Sequence, residues 1–104
     1  MRLIPLQATA NQQLSFTQDG NRWVVTIKQA VTSMIADVSI NEVVIISGVR
    51  IMGDDFVLPY PYIGIERGNL MLTVEQDALP DWQQFTATQR LYYWTPDEMR
   101  GLNV

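Results

Sequence analysis

A chain of 104 residues has room for one hydrophobic core, so a single domain spanning residues 1–104 is expected. Its net charge of −4, with Lys28 the sole lysine, argues against nucleic acid as the main partner, because neutralising phosphates takes a surplus of basic side chains. The absence of both histidine and cysteine excludes disulfides, thiolate and imidazole metal sites, and Ser–His or Cys–His nucleophiles.

Alternation with period two dominates the chain. Leu14 and Phe16 face one way in Gln13–Gln18, and Trp23, Val25 and Ile27 share one face in Arg22–Lys28. Between them Asp19-Gly20-Asn21 supplies residues that tolerate the backbone of a tight turn, so the two segments form a β-hairpin. Met34, Ala36, Val38 and Ile40 line one face of the next strand, and Asn41-Glu42 reads as a two-residue reversal. Val43-Val44-Ile45-Ile46 is apolar on both faces, which predicts a strand covered on both sides, by this domain's loops or by a neighbouring subunit.

Gly48 and Gly53 bracket Val49–Met52, and Gly53-Asp54-Asp55 is a turn signal. Pro59 and Pro61 force extended backbone on the residues before them, so Pro59–Tyr62 is a stiff connection or an edge. Ile63–Ile65 and Leu70–Glu75, joined by the turn Glu66–Asn69, read as a second hairpin with Leu70, Leu72 and Val74 aligned. Asp77–Thr88 is polar and irregular, with room for one helical turn over Pro80–Phe85. Gln89–Trp94 is a last strand that sets Leu91 and Tyr93 against Arg90, Tyr92 and Trp94. Thr95-Pro96-Asp97-Glu98 then carries a capping box with proline at the first helical position, which predicts a helical tail of at most two turns.

No helix is long enough for a crossover connection, so the fold expected is all-β and mainly antiparallel. It is a sandwich or small barrel of six to eight short strands with a short C-terminal helical turn. The expected core holds Leu14, Phe16, Trp23, Val25, Ile27, Val38, Leu70, Leu72, Val74 and Leu91. Charged residues make up 17% of the chain, below the roughly 25% usual in soluble domains, which favours a surface partly dried by neighbouring subunits over a merely neutral one. No apolar run approaches the roughly 20 residues of a membrane span, and Met1–Pro5 is no secretory signal, so no membrane partner is expected.

Carboxylates are the remaining chemistry. Asp54-Asp55 diverge in a turn and read as solvated, and Glu75, Asp77 and Asp81 form a loose set without the ligand spacing of a calcium loop. No catalytic residues, no metal site and no cofactor are expected. Tyr60, Tyr62, Tyr92, Tyr93, Trp82 and Trp94 suit core and interface anchoring. The alternative is a small β module that binds carbohydrate or peptide through those aromatics on an exposed face. Large apolar groups outside the secure strands mark Leu3, Ile4, Leu6, Tyr60, Tyr62, Trp94 and Met99 as candidate protein-interface residues.

Five pieces occur in a telling order: Ile4-Pro5-Leu6, the glutamine-bearing hairpin from Gln13 to Trp23, Ser47-Gly48-Val49 with a second glycine at Gly53, Tyr60 or Tyr62, and Leu91-Tyr92-Tyr93. Together they resemble the baseplate plug proteins of contractile-tailed phages, similar to the plug of a cyanophage baseplate, over almost the whole chain. Asp54-Asp55-Phe56-Val57 departs from the more aliphatic sequence of those proteins, glycine-rich turns before the late strand are lacking, and the chain runs on past Tyr93. The resemblance implies a structural role in the hub near the tail tube and spike. Its implied partners are hub, tube and spike proteins and symmetric copies of itself. It also implies location in the virion's tail baseplate after assembly in the host cytoplasm.

Overall fold

In a computed structural model that describes residues 1–58 and 67–101, the alternating segments become seven strands and a short C-terminal helix. The strands are β1 (Arg2–Ile4), β2 (Gln12–Gln18), β3 (Asn21–Gln29), β4 (Met34–Ile40), β5 (Val43–Arg50), β6 (Asn69–Thr73) and β7 (Arg90–Trp94), and the helix is α1 (Pro96–Gly101). They form two antiparallel sheets, one in the order β2-β3-β4-β5 and one in the order β1-β7-β6. Between sandwich and barrel the structure therefore decides for two sheets. The Pro59–Tyr62 connection and the Ile63–Ile65 half of the second expected hairpin lie outside the described residues.

Local chemistry sets the four-stranded sheet. Gln18 pairs with Asn21 across Asp19-Gly20, and Ile40 pairs with Val43 across Asn41-Glu42, whose φ angles of 52° and 70° make a tight reversal that matches strand twist. The register then lays side chains in rows. Phe16, Trp23, Ile40 and Val43 stand side by side on the core face, and Ser15, Val24, Ser39 and Val44 on the outer face.

The three-stranded sheet joins the two ends of the chain. Ile4 of β1 pairs with Leu91 of β7, and Leu72 of β6 pairs with Leu91 from the other side. The far edge of β6 is covered by residues 54–57. Asp54 N–H donates to Leu72 O and Val57 N–H to Leu70 O, each at 2.8 Å. The two sheets close over an aromatic cluster in which Phe16 stacks on Trp23 (5.7 Å, 13°) and Tyr93 sets its ring nearly edge-on to both.

Of the expected core, Leu14 and Val74 are only partly buried, though both pack against it. Leu14 lies on an edge strand, and Val74 follows the end of β6, so each lacks a neighbour on one side.

Of the two covers expected for Val43–Ile46, the described loops of this domain do not supply one. β5 is the edge of its sheet, with Val43 60% and Val44 68% exposed, while Ile45 and Ile46 are partly buried against the core. The strand also runs further than the glycine at Gly48 suggested. It continues through Ser47-Gly48 to Arg50 because two register shifts against β4 absorb the extra residues. Gly48 takes a φ of 69° there, the conformation that glycine adopts without a steric penalty.

Candidate assembly surface

The polar groups of greatest burial are structural. Asn69 Oδ1 accepts from the backbone N–H of Leu58 (2.9 Å) and Leu70 (2.8 Å), and its amide donates to Leu58 O. Gln89 likewise accepts from Asp81 N–H and donates to Leu79 O, tying the loop before β7 to itself. Each side chain thus meets the backbone's demand for partners at a place that water does not reach.

The carboxylates act as local fasteners. Asp54 accepts from Val74 N–H, and Asp81 caps the 3₁₀ turn Trp82–Gln84 by accepting from Gln83 N–H. Asp37 accepts from Gly48 N–H at 2.6 Å and pairs with Lys28 at 3.0 Å, so it clasps the bulge in β5. The Gly48 bond first, and Lys28 next, hold its carboxyl below the usual range. Glu98 completes the capping box: it accepts from Thr95 N–H while Thr95 Oγ1 accepts from Glu98 N–H. It also pairs with the Met1 ammonium, the main reason that its carboxyl is held low. Among the described residues no group of three or more acids could hold a metal ion.

Tyr93 is the one strongly shifted group among the described residues. Its hydroxyl donates to Arg67 O at 2.8 Å inside the sandwich, and burial, with smaller contributions from Asp19 and Glu98, pushes it up to about 12. An unfolded tyrosine ionises near 10, so the folded state holds its proton longer and stability is expected to fall as pH rises from about 10 towards 12. Tyr93→Phe is expected to remove its part of that fall. Urea midpoints compared at about pH 8 and about pH 11 check it. An unchanged alkaline slope in the variant would mean that the phenol reaches water.

The aromatics do not form one exposed platform. Tyr93 is a core residue, Trp82 packs against the core, and Trp94 is partly buried against Phe56 at 5.4 Å and 88°. Tyr60 and Tyr62 lie outside the described residues. The other interface candidates separate by burial. Leu3 is 50% exposed, Leu6 is partly buried against the core, and Ile4 and Met99 are each 3% exposed, filling the domain's own interior. Leu3, Pro5 and Leu6 line a groove of about 170 Å³ together with Phe85 and Arg90. A wider polar cleft of about 680 Å³ opens between the β3–β4 turn and the loop before β7, lined by Gln29, Ser33, Glu75 and Gln84 among others.

Three features went unread in the sequence: the exposed edge at Val43-Val44, the Asp37 clasp and the cradle around Gly68. Ser47-Gly48 inside an apolar strand was the available sign of the bulge. The Gly68 cradle had none, since it is made by Tyr93 and Trp94, distant in sequence.

Two antiparallel sheets packed on an aromatic core, with acids used as fasteners and an open apolar edge, define a small β-sandwich. The chain belongs to the family described as the cyanophage baseplate Pam3 plug gp18, whose model matches residues 1–97. Membership indicates a phage baseplate plug protein, a component of the virion tail that meets other baseplate parts. No curated protein matches the chain. No helix among the described residues is long and apolar enough to cross a membrane.

Proposed function

We propose that the protein is a structural plug at the centre of the baseplate, seated in the hub near the tail tube and spike, in several symmetric copies. It joins or closes those parts until contraction and performs no catalysis. The family match over residues 1–97 carries this reading. Support comes from the absence of histidine and cysteine, the low charge density and the apolar groups left at the surface, Leu3, Val43 and Val44 among them. Contacts with hub, tube and spike proteins would draw on Leu3, Leu6 and Trp94 at the β1–β7 end, with Tyr60 and Tyr62 as further anchors. Assembly takes place in the host cytoplasm, before release of the virion.

Deleting the gene is expected to leave heads intact and to yield defective or missing tails, restored by supplying the protein in trans. Electron microscopy of the particles reads the outcome. Normal, infectious particles that lack the protein would overturn the proposal.

A further inference from the structure

The four-stranded sheet has two free edges among the described residues, β2 on one side and β5 on the other. Natural edge strands are usually blunted by lysine, proline or inward-pointing charge. Gln12–Gln18 of β2 contains no charge and no proline, and neither does Val43–Val49 of β5. On β5 the apolar residues are laid open instead. Val43 stands on the core face in the row Phe16–Trp23–Ile40–Val43, yet it is 60% exposed because the row stops there.

On both edges backbone groups point away from the sheet in compatible positions, with Thr17 O on β2 already taken by the Arg2 guanidinium, which also lies over the Phe16 ring. Thr17 O is turned away from β3, since it accepts from Arg2 Nη1, so Ser15, two residues along, turns its groups the same way. On β5, Val43 is bonded to Ile40 across the two-residue turn, so Val44 faces outward. The sheet has four strands in antiparallel alternation, so β2 and β5 run in opposite directions. A second copy placed with its β2 beside β5 therefore continues the alternation.

We infer that copies of this chain join head to tail through the β5 edge of one and the β2 edge of the next, with Val44 opposite Ser15, forming a closed ring. That register extends both rows without flipping a side chain to the wrong face: Val43 meets Phe16 on the core side and Val44 meets Ser15 on the outer side. It sets Glu42 opposite Thr17, where the Arg2 guanidinium binds the Thr17 carbonyl. Neither Glu42 nor Arg2 has an ion-pair partner among the described residues. Arg22, paired with Thr17 in the ladder, adds a second guanidinium beside that position. The bulges that begin at Ile45 bend β5 away and confine the new ladder to its start. Ring closure offsets that shortness by holding each copy on two sides.

The inference deepens the plug reading and rests on it for one point. A tail is polar, so copies around its axis are related by rotation about it, which a head-to-tail contact satisfies and a two-fold β5–β5 contact does not.

The cysteine-free chain allows a direct test. Val44→Cys and Ser15→Cys fall on exposed positions, and directly opposed bonded residues lie about 5.5 Å apart, within disulfide range. On oxidation of purified protein, a mixture of the two single variants is expected to give a dimer band that neither gives alone. The double variant is expected to give a ladder that ends at one ring size. Val44→Lys is expected to lower the mass measured by light scattering to that of a monomer while leaving the thermal melt within a few degrees. A dimer from Val44→Cys alone would establish two-fold pairing and overturn the inference, as would the absence of any cross-link. Neither result depends on where the protein sits in a particle, which the deletion experiment reads separately.

Discussion

Trp23→Ala is expected to destabilise the protein by about 3–5 kcal/mol, the range for removing a large aromatic from a core that cannot collapse around the gap. Trp23 is fully buried and touches both sheets, through Phe16 at 5.7 Å on its own sheet and Tyr93 at 5.3 Å on the other. Its indole N–H has no hydrogen-bond partner among the described residues, so the loss is one of packing and apolar burial rather than of a hydrogen bond. Trp23→Phe, which keeps a ring between the sheets, is expected to cost clearly less. Urea titration measures both. A change below about 1 kcal/mol for the alanine variant would mean that the two sheets do not close on this side chain.

Gly68→Ala is expected to be comparably damaging for a different reason. Gly68 has a φ of 92°, which L side chains rarely adopt, and it lies against the end of β7. A methyl group there would come within 2.5 Å of Trp94 O and 2.6 Å of Tyr93 Cζ, and neither can give way cheaply. Trp94 is held in the β6–β7 ladder opposite Asn69, and Tyr93 is fixed by the aromatic cluster and by its bond to Arg67 O. Backbone strain of roughly 1–3 kcal/mol adds to overpacking of similar size, for a total on the order of 3 kcal/mol. In a domain of this length that corresponds to a fall in melting temperature of roughly 10–20 °C. Gly20→Ala is the control: its φ of 80° is also left-handed, but a methyl group meets nothing within 4 Å. A melt for Gly68→Ala no lower than that of Gly20→Ala would refute the close approach.

Local rules acting over a few residues were legible in the sequence. Alternation fixed the inward faces of β2, β3, β4, β6 and β7. Asp19-Gly20 and Asn41-Glu42 marked the reversals, and Thr95 to Glu98 announced α1 through a capping box whose two bonds lie within one turn. The family could be read from weak motifs because their order along the chain carried more information than any one of them. What strands do at long range was not legible. The pairing of β1 with β7 spans almost the whole chain and draws Ile4 inside. Met99 is likewise drawn inside, although its local sequence looks much like that of an exposed residue. Val43-Val44 shows the converse. A β-branched run has the same pattern whether it lies at the centre of a sheet or at its edge, and only the order β2-β3-β4-β5 leaves it open. Period two reports which way a side chain points, whereas burial depends on what the rest of the chain brings to that side, and that is a property of the tertiary structure.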